Sequence, residues 1–247
     1  MSTFLFLDSR DSIDKSIPSE YTWLLSGMNS MGTNNITLAI DTFILPFSRY
    51  VIHSYNKYIY IKQNGGATQI AVLTEGNYTA TTLCSEIKTR LDALGVLVYT
   101  VTYNSTTQKI TISVPIPDVF QLVSGSYNPY KVLGVDTDVF TTGVSTYTTP
   151  YQVDLSGTKY IDISCTSIPI QNSKSGDSYP ILMRIPCYTQ IGSVLSWENY
   201  NSDKVIKVAP YQLDQLSIRL IDDEGNPYNL DKTHELSLTI RLTPISQ

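Results

Sequence analysis

From Glu235 to Leu242 apolar and polar residues alternate without a break: Leu236, Leu238, Ile240 and Leu242 on one side, Glu235, Ser237, Thr239 and Arg241 on the other. A period of two puts successive side chains on opposite faces of an extended chain, so this stretch reads as a strand with one face on a core and the other toward water. The same period appears where Ile36, Leu38 and Ile40 alternate with Thr37, Ala39 and Asp41, and Ile44 to Phe47 extend that run past Thr42. It returns where Tyr58, Tyr60 and Lys62 alternate with Ile59 and Ile61. Further strands are expected at Ile70 to Leu73, Tyr151 to Leu155, Tyr160 to Cys165, Ile181 to Ile185, Val194 to Trp197, Val205 to Val208 and Leu216 to Ile221. Short strands about 8–12 residues apart, punctuated by Gly, Pro and Asn, predict an antiparallel sandwich or jelly roll.

Turn chemistry supports the reading. Asn64-Gly65-Gly66 supplies the positive φ angles of a tight hairpin, Asn104-Ser105-Thr106-Thr107 reads as a second turn, and Asp222 to Pro227 as a hairpin joining the last two strands. Composition agrees: the chain has 18 Tyr, and only 16% of its residues are charged. Tyr, Thr, Val and Ile suit a pleated, half-buried surface, and so few charges leave little to solvate long helices.

One segment breaks the β pattern. Leu83, Ile87, Leu91 and Leu94 form a single helical stripe, which predicts a helix over 79–94. Thr79 or Thr81 caps its start, Gly95 closes its end, and Glu86 with Arg90 makes an i,i+4 ion pair. A hairpin over 97–114 follows, with Leu97, Tyr99, Val101 and Tyr103 on one strand and Ile110, Ile112 and Val114 on its return. The expected organisation is an N-terminal arm at 1–30, a jelly-roll β-sandwich from 31–62 and 141–247, and an α+β insertion at 63–140 carrying one helix. A chain of 247 residues is long enough to bury roughly 70–75% of its unfolded surface without staples.

Several function classes find no support. Net charge is −5, from 17 basic and 22 acidic residues with no Lys/Arg block, which argues against direct nucleic-acid binding. No run approaches the ~20 apolar residues of a membrane span, and Phe4 to Leu7 is too short for a signal segment, so synthesis in the cytosol is expected. Cys84, Cys165 and Cys187 are odd in number and lack metal-knuckle or redox spacing, so they read as reduced and buried. His53 and His234 are too few for a cluster of metal ligands. Asp222-Asp223-Glu224 offers oxygen ligands to calcium but lacks EF-hand spacing, and is read as a solvated hairpin tip. Neither a Gly-x-Ser-x-Gly elbow nor a phosphate loop occurs. The sequence therefore assigns no catalytic, cofactor-binding or metal-ligating residues, and the chain is not expected to be an enzyme. Tyr127, Tyr130, Tyr147 and Tyr151 are divided among packing, a subunit interface and sugar contact, whereas Trp23 and Trp197 are expected in the core.

Phe6-Leu7-Asp8-Ser9-Arg10-Asp11 followed by Pro18-Ser19-Glu20-Tyr21-Thr22-Trp23 resembles the opening of penton and minor capsid proteins of virophages, Polinton-like viruses and related large DNA viruses. Glu75-Gly76-Asn77-Tyr78-Thr79 leading into the helix is similar to the same family. So are Leu133-Gly134-Val135, with Val in place of the usual Phe, and Val153-Asp154-Leu155-Ser156-Gly157 with Tyr160-Ile161-Asp162-Ile163. The resemblance implies a non-enzymatic virion protein, a jelly roll of roughly upright strands, made in the host cytoplasm or a viral factory. It implies a homopentamer closing each capsid vertex, with major capsid protein capsomers as neighbours and no cofactor. The alternatives are a minor capsid protein under or between capsomers, and a host-attachment or sugar-binding fibre or spike module. The arm at 1–30 is expected beneath the shell or against a neighbour.

Overall fold

The computed structural model describes residues 2–25, 36–136, 142–165, 167, 181–200, 205–208, 214–230 and 234–245. In chain order the first strands are β1 (Thr3–Asp8), β2 (Glu20–Leu24) and β3 (Ile36–Phe47). Then come β4 (Tyr58–Gln63), β5 (Gln69–Val72), helix α1 (Ala80–Asp92), β6 (Thr100–Asn104), β7 (Lys109–Ser113), β8 (Phe120–Val123), the short helix α2 (Tyr130–Leu133) and β9 (Thr146–Thr148). The last are β10 (Tyr160–Cys165), β11 (Ile181–Pro186), β12 (Ser193–Glu198), β13 (Ile206–Val208), β14 (Gln215–Asp222) and β15 (Ser237–Pro244). The chain forms two compact units, Met1–Arg49 with Thr158–Gln247, and Tyr50–Gly157.

The first unit is a sandwich of two antiparallel sheets, ordered β1-β15-β3-β12 and β11-β10-β14-β2, with β13 added beside β12 on β3. Numbering its eight main strands 1 to 8 along the chain, these orders become 1-8-3-6 and 5-4-7-2, the interlocked Greek keys of a jelly roll. The alternation that singled out the last strand is its cause: Leu236, Leu238, Ile240 and Leu242 all face the core. The change of phase along β3 also has a structural reason. Between the pairs Thr239↔Thr42 and Ile240↔Ile40 the register skips Asp41, a bulge that lets Leu38 and Ile40 and then Phe43, Leu45 and Phe47 all point inward. Facing them from the second sheet are Ile161, Ile163, Leu216, Ile218 and Leu220. Each such buried side chain contributes about 1.5–3 kcal/mol.

Two expectations are corrected in this unit. The segment read as an arm supplies one edge strand to each sheet, β1 paired with β15 and β2 with β14, and Leu7, Tyr21 and Trp23 lie in the core. Asp222 to Pro227 does not join two paired strands either. It folds back only as far as the Ile221↔Pro227 bridge and Tyr228 N donating to Leu220 O, after which the chain crosses to β15 in the other sheet. Turn residues report a reversal of the chain, not which strand comes next.

The second unit pairs β5-β4-β8 and β6-β7-β9 as separate three-stranded sheets around one core, into which α1 buries Leu83, Ile87 and Leu91. Thr79 caps that helix, its hydroxyl accepting from Thr82 N at 3.2 Å, while Gly95 turns the chain away with a φ of +78°. Glu86 and Arg90 pair at 2.8 Å. β4, expected in the sandwich, pairs here with β5 and β8, because alternation reveals a strand without naming its partners. Tyr151 to Leu155, expected as a strand, form none. Their backbone instead ties the unit together, with Tyr151 N donating to Gly134 O, Val153 N to Gln108 O and Asp154 N to Val132 O. This explains Gly134: at φ +71° an added Cβ would lie 2.3 Å from Tyr151 O.

Candidate assembly surface

The acidic turn is solvated only at its tip: Glu224 and Gly225 are exposed, whereas Asp222 is buried. Side-chain exposure is 2% for Asp222 and 7% for Arg49, and the pair meets at 2.8 Å. The Asp222 carboxylate also accepts from Glu224 N at 2.9 Å and Asn226 N at 2.7 Å, so its oxygens are engaged within the fold. Burial pushes its pKa above the usual carboxylate range, against the pull of Arg49 and these N–H groups. The neighbouring Asp223 accepts from Lys159 N at 3.3 Å, so the turn grips both Arg49 and Lys159, close to where the chain leaves and rejoins this unit. A second buried acid, Asp162, is held by Arg184 through two bonds of 2.7 and 2.9 Å, with that guanidinium 3.8 Å from the Tyr160 ring centre. Both pairs stabilise geometry.

His53 lies in the loop before β4, where its Nδ1 accepts from Tyr55 N at 3.2 Å. His234 is half-buried in the other unit, beside a cleft of about 570 Å³ lined by Arg10, Lys15, Ile17 and Tyr21. Among the described residues no three His, Cys, Asp or Glu side chains are grouped to hold a metal. Cys84 and Cys165 are buried, Cys187 is half-buried, and none is bonded to another. Burial pushes the Cys84 thiol up to about 11 and the Cys187 thiol up to about 12, which leaves both protonated at neutral pH. No helix among the described residues is long and apolar enough to cross a membrane.

The four tyrosines of the 127–151 stretch divide. Tyr130 is fully buried, its hydroxyl donating to backbone oxygens of Tyr60 and Val123, and Tyr147 packs against the second unit's core. Tyr127 and Tyr151 are exposed, Tyr127 lying edge-on to Tyr55. Trp23 is buried, and Trp197 is partly buried against the sandwich core.

The exposed phenylalanines of β1 were not evident from the alternation pattern. Phe6 is 79% exposed and Phe4 49%, both on the outer face of β1. The outer face of their sheet continues through Thr239, Thr42 and Ile44 to Val194 on β12, an apolar and hydroxyl stripe beside the Arg241–Asp41 ion pair. Beside β12 a cleft of about 540 Å³ is bounded by Tyr188 and Tyr200, which are 92% and 90% exposed, and by Trp197. The signal was present in Thr3-Phe4-Leu5-Phe6-Leu7, apolar on both faces where alternation is expected of a half-solvated sheet. Large apolar side chains left together on a surface mark an interaction site.

No family model matches the chain, and no curated protein matches it in sequence. The fold does have a counterpart. A crystal structure of the selenomethionine-labelled penton protein of mavirus superposes with a TM-score of 0.50 at 12% identity, covering 99% of this chain and 100% of that one. At that identity the likeness is one of fold: this chain is mainly β, antiparallel and penton-like in architecture.

Proposed function

We propose that this chain is a structural protein of an icosahedral capsid, a penton-type subunit five copies of which close each vertex against the surrounding major capsid protein capsomers. The observation that carries this reading is the likeness of fold across the full length of both chains, insertion included, to a penton protein. The surface chemistry supports it. A jelly roll with exposed phenylalanines at one edge is suited to side-by-side packing, and identical subunits joined head to tail close into a ring. The buried acids Asp162 and Asp222 are committed to guanidinium partners and the Cys84 and Cys187 thiols are held protonated, which suits a structural role better than chemistry. The place of action is the virion, and the protein is made in the host cytoplasm or a viral factory.

Fab labelling of intact particles, read by cryo-electron microscopy, tests the vertex role. Density confined to the fivefold positions is the expected result, and density spread over the facets would move the protein to a minor capsid role. A second role in host attachment rests on exposed Tyr127 and Tyr151 in the inserted unit. Replacing both by Ser should then abolish binding on a glycan array without changing the oligomer.

A further inference from the structure

Among the described residues, the two ends of the sheet β1-β15-β3-β12 are open edges of the kind proteins ordinarily protect. The other sheet shows what protection looks like. The outer edge of β2 is covered by the chain's own Ser12 to Asp14: Ile13 N donates to Thr22 O at 2.9 Å, and Ser12 Oγ accepts from Thr22 N at 2.9 Å. Among the described residues β1 and β12 have no such cover. Neither carries the Lys, Pro or bulge that discourages edge pairing, for they read Thr-Phe-Leu-Phe-Leu-Asp and Ser-Val-Leu-Ser-Trp-Glu.

We infer that these two edges are made for each other, and that β1 of one copy pairs antiparallel with β12 of the next. The inference rests on the shell-subunit reading above and gives it a contact. Direction comes first. Each neighbour in this sheet is antiparallel, so across four strands β1 and β12 run in opposite senses, and a second copy placed alongside meets the first with antiparallel strands. Parity comes second. Ser9 N donates to Leu236 O in the register of the β1–β15 pairs, so the odd residues of β1 bond to β15 and the N–H and C=O of Phe4 and Phe6 turn toward the open side. Asn199 N donates to Asp41 O in the register of the β12–β3 pairs, which likewise turns those of Val194, Ser196 and Glu198 outward. The side chains of these same residues are exposed on the sheet's outer face, while Leu7 and Leu195 of the other parity are buried. Pairing through them therefore keeps Phe4 and Phe6 on the same face as Val194, with Tyr188 and Tyr200 alongside as the walls of the cleft. One surface projects and the other receives, and they lie at opposite ends of the sheet, so the contact is heterologous.

The test uses the full-length chain and two surface variants, Phe6→Lys and Val194→Lys, each disabling one edge. Thermal melts should match the wild type, since both side chains face solvent. By native mass spectrometry the wild type should give a ring, each variant alone a monomer, and an equimolar mixture of the two a dimer, because only one competent pair of edges remains. Phe6→Pro, which removes an outward N–H and spares the ladder to β15, should act as Phe6→Lys does. If the wild type forms rings and both Lys variants still do, the contact is wrong while the penton reading stands. If the variants abolish a wild-type assembly that is not fivefold, the contact stands and the penton reading falls. A wild type that stays monomeric at every concentration overturns the contact.

Discussion

The Arg49–Asp222 pair shows how much one residue in a turn can hold. It ties the last residue of the sandwich's first segment to the end of β14, under the ring of Tyr228, whose centre lies 5.4 Å from the guanidinium carbon. Removing one member of a buried pair strands the other, and the two losses differ. Asp222→Ala leaves a guanidinium that cannot shed its proton, and should cost about 3–5 kcal/mol at neutral pH. Arg49→Met leaves a carboxyl whose pKa burial already raises, and with the guanidinium gone nothing opposes that rise but the N–H groups. Its penalty should shrink as pH is lowered toward 5 and the acid takes up a proton. Urea unfolding of both variants at pH 7.5 and 5 checks this, and equal penalties at the two pH values for Arg49→Met would show that the carboxylate is not the stranded group. The sequence showed the acids of this turn but not their burial, because the partner lies 173 positions away, as the numbers 49 and 222 show.

Among the elements, α1 was the most legible and the N-terminal strands the least. The helix declared itself through one stripe, one cap and one ion pair, all local in sequence. Its pH response follows from the same groups. Burial raises the pKa of both Glu86 and Asp92, but Arg90 with Thr74 N–H, and Lys88 with Tyr99 N–H, outweigh it and hold both below the ordinary carboxylate values. A group whose folded pKa is lowered stabilises the fold above its unfolded value and loses that contribution as pH falls through the folded one. The contribution of these two pairs to thermal stability should therefore be flat from pH 7 to about 5 and decline below about 4. Glu86→Gln should shallow the decline, and an unchanged acid slope in that variant would count against the pairing. The strands β1 and β2 were read as an arm because a polar stretch separates two short apolar pieces, and nothing local tells a docked edge strand from a tail. Deleting 2–24 removes Leu7, Tyr21 and Trp23 from the core and uncovers the strands beside them. At about 1.5–3 kcal/mol for each side chain, the loss rivals the ~5–15 kcal/mol that stabilises a typical domain. Calorimetry should find no cooperative transition for the sandwich in this truncation, and a near-normal melting temperature would restore the arm.

For the molecule as a whole, the class of fold was in the alternation and the wiring was not. Period two in Leu236 to Leu242 and the phase change around Asp41 identify strands and their inner faces. They cannot tell that β15 lies between β1 and β3, because Greek-key pairing joins residues more than 200 positions apart, such as Phe6 and Thr239. The assembly surface was hidden for a related reason. Phe4 and Phe6 look like core in a sequence, and only their place on an outer sheet face shows that they are exposed. Native mass spectrometry of the purified full-length chain bears most directly on that role. A discrete assembly of five copies is the expected result, and a stable trimer would contradict the penton reading and favour an attachment fibre or another kind of capsomer.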